Sequence, residues 1–545
     1  MVLVLVSFIP PIEAGGVSLR RASVISDLID MDSVEEQEEL LAEEEPEIDV
    51  EEFEVDLELV AEQVKQTTAV ASPTGDATSA SWEGIFEEQP SGGEEHMPES
   101  ESLPTLDNLP IADYSDILPA DSLIVAIEDF GKDEETALER MYDKLLAGKE
   151  QVRVAFMGDS FVEGDILTAD LRELLQDTFS GEGVGHVPFA SPFTGFRQTI
   201  KTTSKGWTPY NIMQRKTTPE PYAKDYFVSG WVAKASDGAS TRWEMSDKRR
   251  HLSKCRRARL LFICRKDATI SVRLGEEEER KFSFKAGEEV RQIVIENEEI
   301  TSLEMKVESG AAGFTGLGAE FDDVCGVAVD NLSIRSNNGQ AMFWSNPTIN
   351  AQINTMRGYD LVVLQYGLNI MQADRHNYSL YAEQVEKMIR YVESCFPGAA
   401  VLVMGVSDRS QKNESGIVPM ESAKDLTQWQ RTAAERCGVA FWNTYDAMQQ
   451  LGGMTTFVEN GWAGKDYTHI NYAGGARIAR ELYYALLKGT ELYSASLRER
   501  IELSQPVISK PLEMEPMNKI VVEKATPPDT NATTEIAEKA ANDVL

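Results

Sequence analysis

Cysteine and histidine are both scarce in this sequence, with five of each among 545 residues. The cysteines, at positions 255, 264, 325, 395 and 437, form no Cys-x-x-Cys pair and no metal-ligand spacing. This pattern argues against a structural zinc site and against a dense disulfide framework, and we predict no metal. Whether Cys255 and Cys264 pair with each other in an oxidising compartment is left open by the sequence.

Basic residues are also in the minority. The chain contains 52 Lys and Arg against 91 Asp and Glu, a net charge of −39 at pH 7. Binding to nucleic acid phosphates requires a cationic surface, so we predict no nucleic acid partner. The first 120 residues contain 30 acidic and 3 basic side chains, and the remaining residues contain 61 and 49. The extreme charge therefore belongs to the N-terminal stretch.

The sequence begins with a short apolar run rather than a long one. Residues 1–12 read MVLVLVSFIPPI, and a bilayer span needs about 20 apolar residues, so this run is too short to cross a membrane. It resembles the end of a signal peptide or signal anchor, and an apolar segment packed on the protein is the alternative. We therefore expect an exported or N-terminally anchored protein of the cell envelope, in the periplasm.

Composition divides the chain into segments. Residues 13–120 combine glutamate runs with Ser, Gly and Pro and have too few apolar residues to offset the entropy cost of folding, which predicts an acidic disordered linker. An α/β domain is expected to follow in two parts, 121–196 and 321–490, separated by an inserted β-rich domain at 197–320. Residues 491–545 are predicted to form a C-terminal tail.

Hydrophobic patterning separates the two kinds of folded sequence. Val152–Met157, Asp360–Gln365 and Ala399–Val406 are mainly apolar strands, and each is followed by residues at helical spacing. This alternation predicts a buried parallel sheet with helices on both faces. The short runs between residues 197 and 320 alternate apolar and polar side chains instead, which predicts antiparallel strands in a β-sandwich.

A serine follows the first apolar strand, in the tripeptide Gly158-Asp159-Ser160. In open α/β sheets ligands bind at the carboxyl ends of the strands, and the next helix begins close by, so this serine is a candidate nucleophile. Gly-Asp-Ser is also an ordinary turn sequence, which is the alternative interpretation.

A histidine with an acidic neighbour lies just before the last predicted helix. A hydroxyl nucleophile needs a base, and the base needs an orienting partner. Asp466 lies three residues before His469 and can accept the imidazole Nδ1–H, which leaves Nε2 free for the serine proton. His186 and His376 are secondary candidates for the base.

The third candidate is Asn369, which follows the strand Asp360–Gln365 in the sequence Tyr366-Gly367-Leu368-Asn369. A side-chain amide at this edge of the sheet would donate a hydrogen bond to a developing oxyanion, and loss of such a donor costs about 10²–10³ in rate. A helix cap is the alternative role for this asparagine.

These three motifs, in this order, resemble those of the SGNH/GDSL hydrolase family over about 122–190 and 325–490. The resemblance implies a flavodoxin-like three-layer α/β/α sandwich interrupted by the β-rich insert. It also implies carboxylic ester hydrolysis without a cofactor, by a catalytic triad of Ser160, Asp466 and His469. The oxyanion hole would comprise the Ser160 amide, the Asn369 side chain and the amide of Ser336, which stands where the family has glycine.

Two further residues depart from the family pattern. Phe161 stands where the family name expects leucine, and Ile370 stands where many members have aspartate. Neither departure removes a reacting group. Together with Ser336, they leave a catalytically inactive glycan-binding protein as one alternative to an esterase, and an O-acyltransferase with the same triad is another.

The domain order resembles that of bacterial envelope O-acetylesterases that act on peptidoglycan or other acylated polysaccharides. This comparison implies an O-acetyl ester on an envelope glycan as substrate and a membrane acyltransferase as a partner. The β-rich insert would then be carbohydrate-binding-like. Its aromatic residues Trp207, Tyr210, Trp231 and Trp243 are candidates for stacking on sugar rings, with burial in the core as the alternative for each.

Overall fold

The computed structural model describes residues 13–14, 17–18, 54–70, 79–83, 111–132, 135–414 and 416–504. The segment 1–12, and with it the predicted export sequence, lies outside this range. No helix in the described part of the chain is both long and apolar enough to span a membrane. The α-helices, in chain order, are α1 Leu57–Val70, α2 Glu139–Ala147, α3 Thr168–Phe179, α4 Pro347–Arg357, α5 Ser379–Cys395, α6 Glu421–Cys437, α7 Thr444–Gln450, α8 Gly453–Glu459 and α9 Tyr472–Ser504.

Twenty strands are found in the same residues. They are β1 Glu13–Ala14, β2 Val17–Ser18, β3 Ser79–Glu83, β4 Glu128–Asp129, β5 Gln151–Gly158, β6 Gly185–Val187, β7 Ile200–Asn211, β8 Trp231–Met245, β9 Cys255–Cys264, β10 Ala268–Leu274, β11 Arg280–Phe284, β12 Arg291–Ile300, β13 Ser302–Ser309, β14 Phe314–Asp322, β15 Gly326–Asn331, β16 Leu361–Gln365, β17 Ala400–Met404, β18 Ser410–Asn413, β19 Gly416–Pro419 and β20 Ala440–Trp442.

The central sheet has six strands in the order β15-β5-β16-β17-β20-β4. The first five are parallel, and the edge strand β4 is antiparallel to β20. Every residue of β16 and β17 is buried, as their continuous apolar sequences require. The predicted parallel sheet is therefore present, with its carboxyl edge at Gly158, Asn331 and Gln365.

Helices cover this sheet. Leu361 and Val363 of β16 face the same apolar space as residues of α2, α3 and α9. Since side chains alternate along a strand, Val362 and Leu364 point to the opposite face, and both are also buried. Helices α4, α5 and α6 pack against the same apolar core. The described residues thus form a mixed α/β structure around a largely parallel sheet.

The insert is a second sheet of ten strands, which extends from β6 to β14 and includes β3. It is antiparallel except at one edge, where β3 pairs parallel with β12. Fifteen-residue β8 pairs with β7, with β13 and with β14, so the strands form one hydrogen-bonded network. Side chains of β10 and β13 share one apolar cluster with those of β9 and β12, which means that the sheet curls on itself. The predicted division into a sandwich of two sheets is not confirmed.

A buried group of ionised side chains joins the two sheets. Arg153 of β5 pairs with Asp322 of β14 and, at 3.1 Å, with Asp330 of β15. Arg357 at the end of α4 pairs with Asp330 at 2.7 Å and with Glu320 of β14. Arg259 and Arg257 of β9 complete the group through Glu320 at 3.1 Å and Asp322 at 2.8 Å, respectively.

The arginines in this group stabilise the ionised form of the buried carboxylates. Burial alone would raise the pKa of Glu320, but the nearby Arg357, Arg153 and Arg259 guanidinium groups hold it below its usual range. Burial likewise opposes ionisation of Asp330, and Arg153 and Arg357 lower its pKa. Such a group is stable only while every charge keeps its partner. The buried ion pairs therefore hold the insert in a fixed position against the α/β core.

Two segment boundaries differ from the sequence predictions. Helix α1 lies within residues 13–120, which were predicted to be disordered, and it folds because Val60 and Val64 are buried against α4 and α5. Helix α9 continues to Ser504, past the predicted start of the tail at 491. Tyr493 explains this extension, because it is buried and stacks on Tyr142 with ring centroids 5.5 Å apart.

All five cysteines are free thiols, and four of them are buried. Cys255 and Cys264 are the two end residues of β9, and ten residues of strand separate their positions by about 30 Å. A disulfide requires Cα atoms within about 7 Å, so this pair cannot form in the folded protein.

Substitution of Arg357 by Met should destabilise the protein by about 3–5 kcal/mol, because it removes one of the cations that pair with the buried carboxylates of Asp330 and Glu320. Urea unfolding followed by tryptophan fluorescence measures this loss. Arg273→Met is the matched control, since Arg273 of β10 is 44% exposed with carboxylates no nearer than 3.8 Å, and its loss should cost less than about 1 kcal/mol. Equal effects of the two substitutions would contradict the proposed importance of the buried group.

Candidate active site

Ser160 lies in a tight turn directly after β5, at the carboxyl edge of the central sheet. The turn is shaped by the fully buried Asp159, whose Oδ1 accepts a hydrogen bond from the Phe161 amide at 3.0 Å. The Asp159 carbonyl also accepts the amide of Glu163 at 3.1 Å. Gly158 is needed because a Cβ there would lie 2.8 Å from the Val162 side chain. The Gly-Asp-Ser sequence is therefore a turn that presents the serine.

His469 approaches this serine from the loop before α9. Its Nε2 is 3.1 Å from Ser160 Oγ, and its Nδ1 is 2.6 Å from Asp466 Oδ2. Because an ionised carboxylate only accepts hydrogen bonds, Nδ1 carries a proton, and Nε2 can accept the serine hydroxyl proton. The structure thus brings Ser160 together with two residues that lie more than 300 positions later in the chain.

The Asp466 carboxylate is fixed by its own loop. Its Oδ1 accepts the amides of Thr468 at 3.0 Å and His469 at 3.1 Å. Partial burial raises its pKa, but the hydrogen bond and charge interaction with His469 and the two amides outweigh burial and lower it. The carboxyl group is therefore ionised at neutral pH, as its contact with His469 requires.

The remaining predicted residues meet in the loop after β15. Asn369 donates from Nδ2 to the Asn337 carbonyl at 3.0 Å, so its amide nitrogen lies against the residue that follows Ser336. Ser336 has a φ of 58°, in the left-handed region that glycine favours. Ile334 donates to the Gly158 carbonyl at 2.9 Å, which places this loop beside the serine turn. Asn369 does not cap a helix through its side chain.

Neither of the two secondary histidines is paired with the serine. Nδ1 of His376 pairs with Asp425 at 2.6 Å, but the His376 side chain is 63% exposed. Asp425 is also far from the serine turn in the sequence. His186 is buried in strand β6 of the insert, with Nδ1 3.7 Å from Glu320. Among the described histidines, only His469 is within hydrogen-bond distance of Ser160.

A cleft with two adjoining cavities runs from the serine to the insert. The cavity at Ser160 also contains Ile166, Phe196 and Tyr472, and the neighbouring cavity contains Phe193 and Trp231. Glu163 and Gly164 line both cavities. Their empty volumes, which include open solvent at the entrances, are about 410 and 480 Å³. The cleft therefore has walls from both the α/β core and the insert.

The four insert aromatics have different environments. Trp231 lines the cleft and meets Phe193 edge-on at 6.1 Å. Trp243 is fully buried, so for this residue the alternative of burial in the core holds and it is not available to stack on a sugar. Trp207 packs on Phe189 at 5.2 Å, and Tyr210 stacks on a neighbouring tyrosine at 5.7 Å. Of these four, Trp231 is the aromatic that the structure places in the cleft.

Three residues of the cleft were not singled out from the sequence. Glu163 accepts a hydrogen bond from Arg335 Nε at 2.6 Å, and the Arg335 guanidinium lies 4.8 Å from the Phe193 ring centre. Tyr472 donates to the Gly164 carbonyl at 2.7 Å. Only the position of Glu163, three residues after the serine, could have drawn attention to this group.

The chain is similar in structure to several solved proteins. No family model and no curated protein matches it. A solved peptidoglycan O-acetylesterase is 23% identical, with a TM-score of 0.53, over 69% of this chain and 99% of its own. A lipase/acylhydrolase from Enterococcus faecalis is 18% identical with a TM-score of 0.21, over 32% of this chain and 77% of its own. A family two carbohydrate esterase from Clostridium thermocellum, solved with cellohexaose, is 10% identical with a TM-score of 0.21, over 50% and 95%.

The first of these similarities shows a common fold. It spans nearly the whole of the solved esterase and 69% of this chain. The resemblance to cell-envelope O-acetylesterases that the sequence motifs predicted is thus confirmed at the level of the fold. Within the described ranges, no cluster of three or more His, Cys, Asp and Glu side chains is arranged to hold a metal ion.

The short contact between His469 and Asp466 should be visible by NMR. A proton shared with a carboxylate at 2.6 Å gives a strongly downfield imidazole signal, so the wild-type protein should show one for His469 Nδ1–H. Asp466→Asn should abolish this signal. Asp425→Asn, which alters the exposed pair with His376, should leave it in place. A signal that survives in Asp466→Asn would contradict the assigned orientation of the ring.

Proposed function

We propose that this protein is a serine esterase that removes O-acetyl groups from a glycan of the cell envelope. The observation that carries the proposal is the continuous hydrogen-bonded series from Ser160 Oγ through His469 to Asp466. A weakly acidic hydroxyl becomes a nucleophile when a positioned base accepts its proton, and a carboxylate hydrogen-bonded to that base stabilises the imidazolium that results.

The reaction would proceed in two halves. Ser160 Oγ attacks the ester carbonyl while Nε2 of His469 takes the hydroxyl proton, and the same proton then passes to the departing sugar oxygen. Water attacks the acyl-enzyme with His469 again as base, and acetate leaves as Ser160 regains its proton. The oxyanion of each tetrahedral intermediate would be held by the amides of Ser160 and Ser336 and by the Asn369 side chain.

The cleft supports a small acyl group on a larger alcohol. Ile166, Phe196 and Tyr472 lie close around Ser160, which favours a short acyl chain over a long one. The adjoining cavity extends to Trp231 and Phe193, and aromatic side chains at a cleft are suited to the apolar face of a sugar ring. Similarity in fold to a peptidoglycan O-acetylesterase supports an envelope glycan as the substrate and the envelope as the location.

The first test uses an aryl acetate. Ser160→Ala and His469→Ala should each lower kcat by about 10³-fold or more, because each removes a member of a cooperating group. His376→Ala is the matched control, since His376 has the same 2.6 Å contact with a carboxylate, and its rate should equal that of wild type. Equal turnover by wild type and Ser160→Ala would contradict the assignment of the nucleophile.

The second test concerns the substrate. Acetate release from O-acetylated peptidoglycan by the wild-type protein should be abolished in Ser160→Ala and reduced in Trp231→Ala. The aryl acetate rate of Trp231→Ala should stay close to wild type, because that substrate does not reach the second cavity. Release of acetate from the aryl ester but not from the acetylated glycan would restrict the proposal to a small-ester hydrolase.

A further inference from the structure

Glu163 makes contacts that the two-step reaction does not use. It follows the serine turn, and its carboxylate reaches the loop after β15 at two points. Oε2 accepts a hydrogen bond from Arg335 Nε at 2.6 Å, and Oε1 accepts one from the Arg335 backbone amide at 3.3 Å. Both side chains are largely buried, with 11% of Glu163 and 17% of Arg335 exposed.

The next residue in that loop is Ser336, whose backbone is left-handed. This conformation is costly for a residue with a Cβ and persists only where its surroundings enforce it. On one side of Ser336, Arg335 is held by Glu163. On the other, the Asn337 carbonyl is held by Asn369 Nδ2 at 3.0 Å.

We propose that Glu163 is a positioning residue, which holds the loop 335–337 so that the Ser336 amide points to the oxyanion. This inference rests on the proposed esterase function. The loop is thereby fastened both to the turn that carries Ser160 and to Asn369, so the three oxyanion donors are linked through Glu163 and Asn337. The Arg335 side chain is kept in place from its other face by Phe193 of the insert.

The proposal explains how serine can replace glycine at position 336. Glycine populates the left-handed region freely, whereas serine must be held there by contacts. The Glu163 carboxylate supplies two of these contacts from a neighbouring element. The glycine of the family pattern and the Glu163–Arg335 pair would therefore be alternative solutions to one geometric requirement.

The experiment measures kcat and KM for an aryl acetate with Glu163→Ala, Glu163→Gln, Ser336→Gly and the double variant Glu163→Ala/Ser336→Gly. Glu163→Ala should lower kcat about 10²-fold with KM nearly unchanged, because an oxyanion donor acts in the transition state. Glu163→Gln keeps an accepting oxygen and should lose less. In the double variant, Ser336→Gly should restore about tenfold of the kcat that Glu163→Ala loses, since glycine adopts the left-handed conformation unaided. Ser336→Gly alone gives the reference kcat for this comparison.

A matched control comes from the far edge of the central sheet. Glu128 of β4 binds Arg431 through two contacts of 2.8 and 2.6 Å, so Glu128→Ala breaks a comparable pair away from the cleft. Its kcat should equal that of wild type. A general loss of stability would lower the activity of both Glu163→Ala and Glu128→Ala. Urea unfolding of each variant measures its stability and so separates a loss of stability from a loss of positioning.

The outcomes distinguish this inference from the proposed function. If Ser160→Ala abolishes turnover but Glu163→Ala retains wild-type kcat, the positioning role is overturned and the esterase stands. The role is also overturned if Ser336→Gly gives no recovery in the absence of Glu163. If wild type and Ser160→Ala turn over the ester equally, the esterase proposal fails and this inference fails with it.

Discussion

The buried group of arginines and carboxylates between the two sheets is the constraint on which the rest of the structure depends. Arg153 of the central sheet pairs with Asp322 of the antiparallel sheet, and Arg357 of α4 pairs with Glu320 of the same sheet, so separation of the sheets would leave each of these buried charges short of a partner. Because the cost of such a charge is large, the relative position of the core and the insert is fixed. The insert and the α/β core thus form one structural unit.

That fixed position is what creates the cleft. Ser160 lies at the carboxyl edge of the parallel sheet, where ligands bind in open α/β folds. By itself this edge would be an open surface. Phe193 and Trp231 of the insert close one side of it, and Tyr472 of the last helix bonds to Gly164 on the other. A reaction at the serine would therefore take place between two units that the buried charges keep together.

Strained backbone is concentrated around the same point. The described residues include four with positive φ that are not glycine, and three of them lie in loops of the site: Asp165, Ser336 and Tyr467. Each is held by neighbouring contacts, most clearly the fully buried Asp165, whose carboxylate binds Arg172 and Arg197. Because strain of this kind needs rigid surroundings, the loops around Ser160 have well-defined positions rather than adaptable ones.

The sequence alone determined the parallel strands and the order of the three motifs, because buried strands leave continuous apolar runs and the motifs follow them locally. It also determined the pairing of Asp466 with His469, which are three residues apart. The joining of the strands of the insert in one curled sheet, the charge group between the sheets and the contact of Glu163 with Arg335 were decided by the tertiary structure. These features depend on contacts between residues that are distant along the chain. The spacing of such residues in the sequence does not predict which side chains will be in contact.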